Sequence, residues 1–204
     1  MTKARWDRTT IGVATLIVVV GLSGIVGAGL RVASRIGEPS APQALAGSGP
    51  LTGTPLTVRI PAIEVDAELD RLGLDGDGAL EAPPYDRAGW FGGGPKPGET
   101  GPAVIAAHVD STTGPVVFFR LKSLQAGDTV TVAYDDGTTV DFVVTGAERF
   151  RKDEFPTERV YGPTEGADLR LITCIGTFDR GSGSYDENLV VWASATSRNT
   201  PAPA

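Results

Sequence analysis

"DTVTVAYDDGTTVDFVVTGAERF", residues 128–150, decides what kind of fold this chain adopts. Two runs alternate β-branched or aromatic residues with polar ones, the period of two that sets one face of a strand against a core. Between them stands Asp136-Gly137, a dipeptide suited to the positive φ angles of a tight hairpin turn. The stretch is predicted as a β-hairpin, and Asp135 and Asp136 as turn residues rather than metal ligands.

Working outward, the remaining signals are also mostly β. "LTVRI" (56–60) and "PAIEVDAEL" (61–69) read as two short strands around Pro61. "AVIAAHV" (103–109) is a continuous apolar run of strand length, as expected for a strand buried on both faces. "VVFFRLKSL" (116–124) reads as a helical turn, and "DEFPTERVYG" (153–162) as one short helix that starts after Pro156. "LRLITC" (169–174) and "NLVVWASA" (188–195) are the last two strands. "LDGDGAL" (74–80) is a turn: Asp75 and Asp77 resemble the opening of a calcium loop, but no Glu stands at its closing position. "GWFGGGPKPGETG" (89–101) lacks the Gly-Lys-Ser/Thr ending of a phosphate loop and is expected to be a flexible connection. About eight short strands with little helix indicate an all-β domain, a small closed barrel or a sandwich.

The 204 residues suffice for one domain, with 41% apolar residues for a single core. The net charge of −7 hides an asymmetry. Residues 1–35 hold five Lys/Arg and one acid, which leaves 13 basic against 24 acidic groups in the rest. A domain so acidic is not expected to bind nucleic acid, which needs clustered positive charge. Within the basic end, "IGVATLIVVVGLSGIVGAGL" (11–30) carries no charge over 20 residues. As a helix it spans roughly 30 Å, the thickness of a hydrocarbon core. A cleaved leader is the alternative, although its apolar region is usually ~7–15 residues. The expectation is an uncleaved, single-pass anchor with residues 1–10 cytoplasmic and the domain on the outer face of the membrane. Residues 31–55 form a Gly/Pro/Ser-rich linker, 56–195 the domain and 196–204 a disordered tail.

Chemistry is concentrated in one cysteine, Cys174, and one histidine, His108. A lone cysteine excludes an internal disulfide and any multi-cysteine zinc site. Free cysteine is often a buried small hydrophobe, and a lone histidine often a satisfied structural ring. The functional alternative is a nucleophile with its acid–base partner. An unaided thiol is only a few per cent thiolate at neutral pH, and imidazole is the side chain able to exchange protons there. Each residue closes a strand-like run beside a polar loop, where substrate has access. Attack on a carbonyl also needs a group to stabilise the developing oxyanion. Arg180, in "CIGTFDR", is the candidate cation. Arg170 shares a strand face with Cys174 but lies farther from the expected strand end. Asp110, two residues after His108, reads first as a solvated loop acid and only secondarily as a group that orients the ring.

"GPAVIAAHVDS", "LRLITC" and "NLVVWA" resemble the histidine strand, the Thr-Cys strand and the final strand of the sortases, over about residues 55–195. "LITC" followed by an Arg-bearing loop is the most specific part, and "FFRLKSL" with "KDEFPTERVYG" is similar to the class F subgroup. The resemblance implies an eight-stranded β-barrel with one or two short helices behind an N-terminal transmembrane helix. It implies a membrane-anchored cysteine transpeptidase that needs no cofactor or metal. The substrates would be secreted proteins bearing a Leu-Pro-x-Thr-Gly-like sorting signal, and the acceptor a cell-wall amine such as a peptidoglycan precursor. Cys174 would be the nucleophile, His108 the acid and base, and Arg180 the oxyanion cation. Asn188 and Thr173 would support or bind substrate. In many sortases an arginine begins the last strand; here Asn188 occupies that position. A cysteine hydrolase and a catalytically silent peptide-binding barrel remain as rival readings.

Overall fold

The computed structural model describes residues 50–201. The expected cytoplasmic N-terminus, the span at 11–30 and most of the linker lie outside the described residues. Among the described residues no helix is long and apolar enough to cross a membrane.

Eight strands close into a barrel: β1 (Pro55–Ile60), β2 (Val65–Leu72), β3 (Ala88–Phe91), β4 (Gly101–Ala106), β7 (Thr129–Tyr134), β8 (Thr139–Arg151), β9 (Ala167–Asp179) and β10 (Ser184–Asn199). Around the wall they run β1-β2-β3-β4-β9-β10-β8-β7, and β1 pairs with β7 to complete the closure. Two neighbouring pairs are parallel, β2–β3 and β4–β9; the others are antiparallel. A small ribbon of β5 (Asp110–Ser111) and β6 (Gly114–Pro115) follows β4, and the one α-helix among the described residues, α1 (Thr157–Tyr161), precedes β9.

Alternation explains the barrel. In β7 and β8, Val130, Val132, Val140 and Phe142 are fully buried while their sequence neighbours are not. Their turn is the predicted one, with Gly137 at φ +80°. The interior is filled by these residues together with Val58, Ile60, Ile105, Leu169, Leu171 and the ring of Phe118. Burying each such side chain contributes about 1.5–3 kcal/mol. A second, smaller core lies on the outer side of the β4-β9-β10 wall: Val104, Ile172 and Val190 sit under Val160 of α1, and Phe155 and Tyr161 pack at its margin. Strands covered on both faces read as unbroken apolar runs, which is why "AVIAA" and "LRLIT" show little alternation.

Four expectations change. The Gly-rich stretch is not merely a connection, because Ala88–Phe91 forms β3 and Trp90 is buried with its indole N–H on the Pro95 carbonyl, 3.0 Å. Cys174 does not end its strand: β9 continues to Asp179 and pairs with β10 across a bulge. The bulge falls at Gly176, φ +96°, where a Cβ would lie 2.2 Å from Asp186 Oδ1. The C-terminal tail begins later than residue 196, since Ser197–Asn199 still pair with β8. The linker ends earlier: Leu51 is buried in the core, and Lys96 Nζ donates to the carbonyls of Leu51 and Gly53 at 3.0 and 2.7 Å.

The buried Tyr134 hydroxyl donates to the Pro97 carbonyl at 2.6 Å. Burial, reinforced by nearby Glu99, pushes this phenol well above its ordinary range. A raised pKa means folding favours the protonated form, so its contribution is complete below the unfolded value of about 10 and is lost as pH climbs above it. Tyr134→Phe should therefore lower stability at neutral pH by about 1–2 kcal/mol and weaken the alkaline loss. Urea unfolding of both proteins at neutral pH and near pH 11 measures this.

Candidate active site

The parallel pairing of β4 with β9 brings together the two candidate residues, His108 and Cys174. Its register sets Ile105 against Leu171 and Ala106 against Ile172. Continued by two residues, it sets Ala107 level with Thr173 and His108 level with Cys174. The continuation is hydrogen-bonded. Ala107 N–H donates to the Ile172 carbonyl at 3.2 Å, and the buried Thr173 hydroxyl donates to the Ala107 carbonyl at 2.8 Å. Neighbouring strands lie about 4.8 Å apart, so residues at one level on one face are side-chain neighbours.

Alternation then assigns the faces. Leu169, Leu171 and Thr173 turn toward the barrel interior, whereas Ile172 belongs to the outer core and Cys174 follows it outward. Cys174 is half-buried, a free thiol at a surface rather than a sealed core residue. Across β10 it stands opposite Asn188, and Asn188 stands opposite Phe150 of β8.

His108, Cys174 and Asn188 open into one cleft of about 710 Å³, which the buried Thr173 borders. Its walls are largely apolar, with Leu74, Leu80, Phe91 and Phe155 among them. His108 Nε2 lies 3.1 Å from the Pro83 carbonyl, and its ring stacks on Tyr85 at 4.4 Å between centroids. A carbonyl only accepts, so Nε2 donates and a neutral ring keeps Nδ1 as its base. A second cleft, about 200 Å³, meets Cys174 from its other flank and is lined by Asp110, Phe119, Lys122 and Tyr185. Here the Tyr185 hydroxyl donates to Asp110, and that bond raises the phenol above its ordinary range. Asp110 is thus held by Tyr185, while the Pro83 carbonyl holds the histidine.

The arginines named from the sequence lie elsewhere. Arg180 sits in the turn between β9 and β10, exposed, and lines neither cleft. Six residues of near-extended chain carry it roughly 20 Å along the hairpin from Cys174. Arg170 is buried over the Trp192 ring, 4.5 Å from its centroid and 3.6 Å from Asp168; burial lowers its pKa, against the pull of Asp168. It braces the outer core.

The cation beside the sulfur is Lys152, which the sequence reading passed over. Its Nζ lies 3.5 Å from Cys174 Sγ and 2.7 Å from the Ser184 hydroxyl. Register carries the signal for it: Phe150 is level with Asn188, so the second residue after Phe150 emerges on the same face at the mouth of the cleft.

Known proteins share the family and the fold. A family model described as Sortase domain matches residues 58–196. No curated protein matches the chain. Among solved structures, a lid mutant of sortase A from Corynebacterium diphtheriae is similar, with 20% identity and a TM-score of 0.55 over 70% of this chain and 69% of that one. Sortase C-1 from Actinomyces oris gives 20% and 0.55 over 70% and 75%. Listeria monocytogenes sortase A gives 15% and 0.55 over 72% and 90%. At these identities the structures speak for the fold.

The Thr173 hydroxyl is the inner tie between the two strands that deliver His108 and Cys174. Thr173→Val keeps the shape and leaves the buried Ala107 carbonyl without its donor, an expected loss of about 1–3 kcal/mol. Thr173→Ser should recover most of it. Denaturant unfolding of the three proteins checks both expectations.

Proposed function

Because the chain belongs to the sortase family, we propose that it is a cysteine transpeptidase, acting on a Leu-Pro-x-Thr-Gly-like sorting signal through an acyl-thioester on Cys174. The observation that carries this reading is the opening of Cys174 and His108, level on adjacent parallel strands, into one largely apolar cleft. An extended peptide with an apolar start fits such walls, and its scissile carbonyl would meet the sulfur at the polar end.

In the first step Sγ attacks the Thr carbonyl carbon, and the thiol proton passes to His108. The tetrahedral adduct collapses as His108 returns that proton to the leaving amine, which frees the Gly-bearing fragment. In the second step an incoming amine attacks the thioester, His108 takes its proton, and Cys174 leaves as thiolate. Splitting one acyl transfer into two steps is what a covalent nucleophile achieves. The second cleft gives an amine its own approach to Cys174 beside the Asp110 carboxylate. Asn188 and Thr173 line the peptide cleft as supporting groups. Arg180 joins the reaction only if its hairpin folds back over the cleft.

The finer assignment follows from sequence features. "KDEFPTERVYG" favours the class F subgroup, and the uncharged span at 11–30 favours a single-pass anchor with the domain on the extracellular face. A peptidoglycan precursor is then the amine acceptor within reach, and secreted proteins carrying the signal are the clients.

The test incubates the purified protein with a Leu-Pro-x-Thr-Gly peptide, with and without an amine acceptor. The expected product by mass spectrometry is the Thr-terminated fragment joined to the amine. Cys174→Ala should abolish it and His108→Ala should slow it by about 10²–10⁴. Cleavage that survives loss of Cys174 would remove the mechanism.

A further inference from the structure

We propose that Lys152 is the catalytic cation of this site, donating a hydrogen bond to the oxyanion that forms when Cys174 attacks a carbonyl. The role rests on the acyl-transfer chemistry proposed above; its assignment to Lys152 rests on geometry alone.

Three observations carry it. First, Lys152 Nζ touches the reacting atom, at 3.5 Å from Cys174 Sγ. The oxygen of a tetrahedral adduct is only two bonds from that sulfur, so a donor that reaches the sulfur reaches the oxygen by a small rotation of its four-carbon stem. Second, the ammonium is aimed. Its bond to the Ser184 hydroxyl, 2.7 Å, holds it from β10, and its three N–H groups leave one free for the substrate. Third, its charge is not consumed. Among the described residues Lys152 has no carboxylate within ion-pair distance, whereas its neighbours Arg151 and Asp153 neutralise each other at 3.0 Å.

The other charged groups around Cys174 do not fill the role. Glu81, in the same cleft, is an anion held by the Gly73 N–H. On the opposite flank Asp110 is bonded to Tyr185, and Lys122 lies over the Phe119 ring. Asp186 accepts from the Thr177 N–H, and Glu187 is paired with Arg149. Among the described residues, Lys152 is, apart from His108, the one basic side chain that lines the peptide cleft. Asn188, where many sortases carry an arginine, has no charge to offer. The ammonium stands in for it from the same flank of Cys174, one strand farther out at the end of β8.

The chemistry is balanced without a further reactant. Sulfur forms a bond to the carbonyl carbon, and the C=O π pair moves to oxygen, where Lys152 N–H donates to it. The pair returns as the leaving group departs.

The test uses a substrate that needs no sorting signal. Acylation of Cys174 by p-nitrophenyl acetate passes through the same oxyanion and releases nitrophenolate, while alkylation by iodoacetamide forms no oxyanion. Lys152→Met should lower the rate of ester acylation by about 10²–10³, the usual loss for one oxyanion donor. Lys152→Arg should restore most of it, and alkylation should change far less in both variants. On a sorting-signal peptide the loss should fall on kcat and leave KM little changed. Ester acylation by Lys152→Met within about threefold of the parent, well under the usual loss, overturns the assignment. So does an equal fall in acylation and alkylation, or a loss confined to Arg180→Ala. If the parent acylates with the ester in a Lys152-dependent way yet cleaves no sorting-signal peptide, the cation stands and the proposed substrate falls.

Discussion

The site depends on one parallel strand pairing. β4 and β9 are far apart in the chain, and nothing local fixes how one slides against the other. A shift of one residue would turn Cys174 to the interior and carry Thr173 outward, since faces alternate at every position. What prevents the shift is the packing of Ile105 and Leu171 within the barrel and of Ala106 and Ile172 outside it. The Thr173 hydroxyl locks the last step before the cleft. Register and site are thus a single constraint: the apolar residues that build the wall also set Cys174 level with His108.

The outer face of that wall divides between two tasks. Toward the middle, Val104, Ile172 and Val190 are roofed by α1, which the strands need in order to be buried on both sides. Two residues beyond Ile172 and Val190, and four beyond Val104, the roof stops, and Cys174, Asn188 and His108 are open. Both conditions are met by a helix of five residues, Thr157–Tyr161, short enough to cover the apolar rows and leave the polar ends exposed. Aromatic side chains from its flanks, Phe155 and Tyr161, become part of the cleft wall.

Much of this was legible in the sequence where the signal was local. The hairpin at 128–150 could be read because β-branched alternation and Asp136-Gly137 agree. The two-sided burial of β4 showed as an unbroken apolar run. The sortase resemblance supplied the barrel closure, which no local pattern encodes. Signals that depend on distant partners were not legible. The strand Ala88–Phe91 hides among glycines because its identity comes from β2 alongside it. The polar residues after Cys174 look like a loop, yet β10 pairs with them and draws them out as strand. That extension also explains the position of Arg180, near in chain order and distant along the hairpin. Lys152 was missed for the complementary reason: it is 22 residues from Cys174 in sequence and becomes its neighbour only through the register of β8, β10 and β9.

The clasp on the N-terminal side of the domain has a mechanical consequence. Lys96 grips the carbonyls of Leu51 and Gly53, and Asp135 and Asp136 take the amides of Thr54 and Gly53 at 2.8 and 3.1 Å. All of these fastenings gather at the β7–β8 turn, the pole of the barrel from which β8 departs. Lys152 follows the other end of β8, some 13 residues and about 40 Å of strand away. A tug on whatever precedes residue 50 would be absorbed at that pole, and the end of the barrel that carries Cys174 would be shielded from the load.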